Sequence, residues 1–333
     1  MKALQIIKYG EIRDSLSINE IEKPILKAKD VLIEVKAASL NPIDYKLAEG
    51  HLKDMVPLNL PCTIGFDVSG VVVEKGADVS NFEVGDKVYS RVPPEQMGTV
   101  SEYVAVNSEV VAKKPTNISF EEAAGLPLTG LTAMQALEAV DLKENDRILI
   151  HAGSGGVGSF AIQYAKAKGA IVYTTTSTKN VGWVKALGAD RVIDYKTEDY
   201  KEVANNLDIV FDTLGGDYTL DAFEIIKEGG KVTTIAGPPD EETAKQMGMT
   251  DYKLPEQLSK LIIEKSATYK LTWMQPNGVQ LNAMTTMVET GDIKPIVDLI
   301  YSFEDGIDAY EYLATGRAQG KVIVSLSPGS SKH

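Results

Sequence analysis

Arg147 to Lys168 reads RILIHAGSGGVGSFAIQYAKAK. A short apolar run rich in isoleucine and leucine comes first. G-x-G-x-x-G follows at Gly153, Gly155 and Gly158, and the remaining residues have helical spacing. That order predicts strand, tight turn and helix. Each glycine suits its place for a different reason: Gly153 turns the chain sharply, Gly155 lets the backbone approach a pyrophosphate, and Gly158 lets the new helix pack close to the strand. An anion resting there would meet unpaired N–H groups at the positive end of the helix macrodipole. A dinucleotide is therefore the expected ligand, held along Gly153, Ser154, Gly155, Gly156, Val157 and Gly158.

The next strand separates the two nicotinamide dinucleotides. An NAD site places Asp or Glu about twenty residues beyond the glycines, on the ribose 2′-hydroxyl. Here no acid occurs between Asp146 and Asp190. Ile171 to Asn180 reads IVYTTTSTKN, so Ser177, Lys179 and Asn180 bring a cation and polar donors to the place where a 2′-phosphate would lie. NADPH is expected over NADH.

From this unit outward, strands and helices alternate: VGWVKALGAD as a helix, RVIDY as a strand, a helix from about Thr197, LDIVFDTLGG as strand and turn, YTLDAFEIIKEG as a helix and KVTTIAG as a strand. The alternation predicts a doubly wound parallel sheet of Rossmann type, with ligand at the carboxyl ends of its strands. Asp212 to Gly215 and Ile235 to Gly237 should then border the nicotinamide half. The acidic, proline-containing segment from Gly237 reads as an excursion from the sheet, a solvated loop in preference to a lid over the cofactor. Residues from Met1 to about Ala112 differ, with short β-branched runs broken by Gly, Pro and Asp. The chain is α/β in class, with a β-rich domain over residues 1–118 completed by 292–333, and the dinucleotide domain over 119–291. SATYKLTWM reads as an edge strand, GKVIVSLS as a β run returning to the first domain, and SPGSSKH as a frayed terminus.

The 34 basic and 47 acidic residues leave a formal net charge of −13, a surface that repels nucleic acid and anionic membrane, so neither is expected as a partner. No apolar run reaches membrane-spanning length and the N-terminus has no signal pattern, which predicts a cytoplasmic protein. One cysteine, Cys62, excludes an internal disulfide and a cysteine-rich zinc site. It is expected to be a small packed residue.

ASLNPIDYKLAEG, GFDVSGVVVEKG, VGDKV, GLTA, AGSGGVG, LGAD and GKVIV, taken in this order, span nearly the whole chain. Together they resemble the medium-chain dehydrogenase/reductase superfamily, with its GroES-like β-rich catalytic domain and Rossmann domain. The closest resemblance is to the zinc-independent quinone oxidoreductase (zeta-crystallin-like) branch and its alkenal and enone reductases. The resemblance implies an NADPH-dependent oxidoreductase that transfers hydride to an α,β-unsaturated ketone or aldehyde, or to a quinone. A non-catalytic NADPH-binding protein of the crystallin or sensor type is the alternative. The alcohol dehydrogenases place a catalytic zinc cysteine where this chain has Asn41, and a histidine where it has Phe66 beside Asp67. No metal is expected, and without a Lewis acid alcohol–aldehyde interconversion is disfavoured.

The resemblance also assigns residues. Lys46, Tyr45 and Asn41 are the expected donors to substrate, on a turn facing a cleft between the domains, and Lys46 would touch the cofactor too. Asp44 would orient that helix. Thr132 would lie near the nicotinamide, Tyr195 beside the adenosine ribose and phosphate, and Arg317, Gly320 and Lys321 near the cofactor phosphates. Relatives often pair the edge strands of two dinucleotide domains, so a homodimer is expected.

Overall fold

A computed structural model describes residues Met1–Ser327. The frayed-terminus reading of the last residues falls largely outside them. In chain order the strands are β1 (Lys2–Ile6), β2 (Leu16–Glu20), β3 (Asp30–Leu40), β4 (Cys62–Thr63), β5 (Asp67–Lys75) and β6 (Lys87–Arg91). Then come β7 (Tyr103–Asn107), β8 (Val111–Lys113), β9 (Arg147–Ile150), β10 (Ile171–Thr176) and β11 (Arg191–Asp194). β12 (Leu207–Asp212), β13 (Ile226–Thr234), β14 (Thr268–Leu271), β15 (Val297–Ser302) and β16 (Lys321–Ser325) complete the set.

Thr132–Met274 with Asp292–Lys294 form one compact unit. Its six strands pair in the order β11-β10-β9-β12-β13-β14, all parallel. The order reverses at β9, the strand that opens the glycine turn, which is the doubly wound topology with its switch point there. Ile148, Leu149 and Ile150 are fully buried, as a strand covered on both faces requires. The segment after Gly237 departs from expectation by containing a helix, Glu241–Gln246. The Asp240 carboxylate caps it, accepting from the Glu242 and Thr243 N–H groups, and also accepts from Leu271 N–H on β14.

The other unit comprises Met1–Leu131, Gln275–Gly291 and the chain from Pro295 onward. It holds a seven-stranded sheet in which β15-β16-β3-β5-β6-β8 are neighbours and β7 pairs with β3. A three-stranded sheet, β2-β1-β4, accompanies it. The C-terminal run returns as expected, with β16 antiparallel to β3. The divide lies later than residue 119, and the helix Gly278–Thr290 belongs with the β-rich unit. Its position has a physical cause: the Tyr89 hydroxyl donates to Leu281 O at 2.6 Å, and Thr285 Oγ1 donates to Lys113 O at 2.8 Å. Gly278 lies so near the start of β8 that a Cβ would come within 2.4 Å of Glu109 O and 3.0 Å of Val111 O. The core of this unit gathers Leu4, Ile6, Ile33, Leu40, Val68, Val88 and Val324, the inward residues of its strands.

Candidate active site

The glycine turn between β9 and the helix Gly156–Ala167 is built tightly on its inner side. A Cβ at Gly153 would meet Thr174 Oγ1 at 2.2 Å, and one at Gly158 would meet Ala152 O at 2.3 Å. Gly155 is different: the nearest atom to an added Cβ is Ala152 O at 3.4 Å, an ordinary contact. Nothing in the chain itself requires a glycine there, whereas a ligand lying on the backbone would. Ala152 has φ of +50°, a left-handed conformation unusual for a non-glycine residue. It is held by its N–H to Thr175 Oγ1, and Gly153 N–H donates to Thr175 O. The 12-residue helix presents its unpaired first N–H groups at this turn, beside Ser154 and Val157. A pyrophosphate fits both the space and the polarity.

At the next strand ends, Tyr195 N–H donates to Thr176 O, so the ends of β10 and β11 lie side by side. Lys179 and Tyr195 are exposed, and the Lys196 ammonium sits 5.1 Å from the centre of the Tyr195 ring. Asn180 is mostly engaged within the protein: it is buried, donates to Ser177 Oγ and accepts from Trp183 Nε1. Ser177, Lys179 and Tyr195 remain together at these strand ends, beside the exposed Lys196, a cation that the motif-based reading missed. Ile235 donates its N–H to Asp212 O at the end of β13. The buried Asp212 carboxylate accepts from Leu214 N–H, Gly215 N–H, Thr219 Oγ1 and Thr234 Oγ1, and so fixes the ends of β12 and β13. Thr132 is buried on the helix Pro127–Ala139. His151 is fully buried against Tyr200 and Tyr218, and burial lowers its pKa to about 4, so it is a neutral packing residue.

In the β-rich unit, β3 ends in a turn to the helix Pro42–Ala48, which carries Tyr45 and Lys46. Lys46 is exposed. Tyr45 is half-buried, and burial, then the Glu49 charge, raises its pKa, so the phenol stays a proton donor. Asn41 is the correction. Its side chain is 1% exposed, with Nδ2 donating to Asp67 Oδ2 at 2.9 Å and to Ser39 O at 3.3 Å, while its Oδ1 accepts from Lys321. Both N–H groups are engaged, so Asn41 has no free donor for a substrate oxygen.

Lys321 is corrected for a similar reason. It is buried, donates to Leu40 O at 2.9 Å and to Asn41 Oδ1, and lies 3.7 Å from Asp67. An ammonium so surrounded is not available to a phosphate. Gly320, at φ +90° with Ile296 O only 2.4 Å from an added Cβ, serves this turn through its backbone. Arg317 is exposed. Asp44 orients the turn as expected, accepting from Asn41 N–H at 2.9 Å and Tyr310 OH at 3.1 Å. Burial, with some help from Asp67, pushes its pKa up to about 7 against those hydrogen bonds and the Lys321 charge. Cys62 is half-buried, and burial pushes its thiol up to about 11, so it is unreactive at neutral pH.

Residues 27–116 match the alcohol dehydrogenase GroES-like domain, and residues 187–324 match the zinc-binding dehydrogenase domain. The chain is 36% identical to 2-methylene-furan-3-one reductase of Solanum lycopersicum, over 98% of its own length and 80% of that protein's. It is 37% identical to a chloroplastic NADPH-dependent alkenal/one oxidoreductase of Arabidopsis thaliana, with the same coverage. The chain belongs to the quinone oxidoreductase branch of the medium-chain dehydrogenase/reductases. The fold agrees: a quinone oxidoreductase from Coxiella burnetii superposes with a TM-score of 0.85 at 34% identity, covering 98% of this chain and 99% of that one.

Because one matching domain is described as zinc-binding, the donor set matters. Among the described residues no group of three or more His, Cys, Asp and Glu could hold a metal ion. Of the two residues that the resemblance sets in place of zinc ligands, Phe66 offers no donor atom, and Asn41 is hydrogen-bonded to Asp67 beside the Lys321 ammonium. These residues do not fit zinc.

Proposed function

We propose that this protein is a zinc-independent, NADPH-dependent reductase of a conjugated acceptor, either an α,β-unsaturated ketone or aldehyde or a quinone. One observation carries the reading: a fingerprint turn whose Gly155 has no internal reason to be glycine is followed by strand ends bearing Ser177, Lys179 and Tyr195 and no acid placed for a 2′-hydroxyl. The names of the relatives support the same chemistry. Bound NADPH supplies a hydride for the electron-poor carbon.

The chain's own task is to bind and orient the acceptor and to stabilise the negative charge that builds on its oxygen. Lys46 and Tyr45 fit that task, one as a cation and one as a neutral donor. For an enone, the β-carbon gains the hydride and the α-carbon gains a proton.

Steady-state rates with NADPH and NADH, each on a short alkenal, a ring enone and a simple quinone, test the proposal. NADPH should be preferred at least tenfold in kcat/KM, and an equal or better value with NADH overturns the cofactor assignment. Lys46→Ala should reduce kcat tenfold or more without moving the melting temperature. Dialysis against a chelator should leave the rate unchanged, and lost activity restored by zinc would overturn the metal-free mechanism.

The same reading includes a cytoplasmic homodimer paired along the open edge of β14. No helix among the described residues is long and apolar enough to cross a membrane. Light scattering should give twice the chain mass of 36.0 kDa.

A further inference from the structure

Within the β-rich unit, the buried ammonium of Lys321 stands beside Asn41, which the resemblance sets in place of a zinc cysteine, and beside the buried Asp67. We propose that Lys321 is the resident cation of this site, a positioning residue that locks Asn41 and the turn carrying Tyr45 and Lys46. Its role rests on the reductase reading above.

The ammonium has three N–H bonds and three oxygen neighbours: Leu40 O at 2.9 Å, Asn41 Oδ1, and Asp67 Oδ2 at 3.7 Å. Asp67 is wholly buried and also accepts from Leu128 N–H at 2.9 Å. A buried carboxylate with no cation beside it would be strongly unfavourable, so the lysine neutralises the charge a metal would otherwise meet. Arg91, with 6% exposure, is the other cation whose field reaches Asp67.

The pair also decides which way Asn41 faces. With Lys321 on Oδ1 and Asp67 on Nδ2, rotating the amide would set donor against donor and acceptor against acceptor. Asn41 N–H in turn holds Asp44, which receives the Tyr310 hydroxyl. β16, β3, β5 and the helix Pro42–Ala48 are thus tied into one network. Tyr45 and Lys46 project from the helix this network anchors, and Lys321 acts through them without contacting substrate.

The test is Lys321→Met, assayed with NADPH and the conjugated acceptor that the wild type reduces best. The expected result is a fall in kcat of tenfold or more, with the calorimetric Kd for NADPH within twofold of wild type. Should that variant fail to fold, Lys321→Met with Asp67→Asn removes both charges and should fold, with kcat still tenfold low. Wild-type kcat in either variant overturns the proposal, as does an insoluble double variant, which would make the lysine a folding element. Loss of NADPH binding together with kcat would make Lys321 a cofactor ligand and also overturn it. A wild type that reduces no acceptor sinks the reductase reading instead. The network then stands or falls on melting temperature, which should drop in Lys321→Met and recover in the double variant.

Discussion

Two turns in this molecule follow a central strand and open a helix, and they are completed in opposite ways. After β9 the chain withdraws side chains: Gly153, Gly155 and Gly158 leave a bare backbone and the unpaired N–H groups of a helix start. After β3 it crowds them in. Asn41 meets Asp67 and Lys321, residues 26 and 280 positions away, and every polar end of its amide is engaged inside the unit. The first turn leaves N–H groups open to a ligand, whereas in the second the Asn41 amide is fully engaged by the protein itself. A glycine that the protein's own packing does not explain is therefore a stronger sign of a binding site than a polar residue at a turn.

The sharpest way to break this contrast is to add one methyl group to the empty turn. In Gly158→Ala the new Cβ would lie 2.3 Å from Ala152 O, and Ala152, already at φ +50°, has little room to yield. NADPH affinity should fall at least a hundredfold, about 3 kcal/mol or more, with a lower melting temperature. Gly155→Ala is the finer probe, since the protein itself tolerates that Cβ. Its melting temperature should match wild type while calorimetry shows weaker NADPH binding. Unchanged binding in Gly155→Ala would mean that the pyrophosphate lies elsewhere.

The same contrast separates what is legible in the sequence from what is not. The doubly wound Rossmann sheet and the returning C-terminal strand follow from hydrophobic period and glycine spacing, which are local signals. The positions of Gly155, Ser177 and Lys179 at strand ends are local in the same way, each a short, patterned distance from an apolar run, whereas Tyr195 enters through the family resemblance alone. Asn41 and Lys321 are not legible in this way. A polar residue after a strand looks like a donor until its partners are known, and those partners come from β5 and β16. The position of helix Gly278–Thr290 was hidden likewise, because the hydrogen bonds from Tyr89 and to Lys113 that hold it span more than 170 residues. In the sequence Asp212 reads only as a strand end, since its four hydrogen-bond donors include Thr219 and Thr234 from later elements.

A smaller effect belongs to the strand ends beside the empty turn. Lys179→Ala removes an exposed cation that is expected to meet only the 2′-phosphate. NADPH binding should weaken about tenfold, or about 1.4 kcal/mol, while NADH binding stays the same. Lys179→Glu should go further and bring the two dinucleotides close to equal affinity. A Lys179→Ala variant that weakens both cofactors equally would show that the residue supports the fold of the strand ends instead of reading the phosphate.

The filled turn is tested by pH. Burial raises the Asp44 pKa from 3.8 to about 7, so the folded state prefers the neutral carboxylic acid while the unfolded chain ionises from about pH 4. Below that range both states hold the proton and the contribution to stability is fully present. As pH rises toward 7 the unfolded chain gives up its proton first, and stability is lost with a slope below about 1.4 kcal/mol per pH unit, the one-proton limit. Asp67 and Lys321 face the same network. Asp67 adds to the rise, and the Lys321 charge opposes it without reversing it. Asp44→Asn keeps an acceptor for Asn41 N–H and Tyr310 OH but cannot ionise. Urea unfolding at pH 5, 6, 7 and 8 should therefore show wild type losing stability relative to the variant up to about pH 7 and running parallel above it. Curves parallel across the whole range would mean that Asp44 is already charged in the folded protein, and that the crowded turn is held by ion pairing rather than by a shared proton.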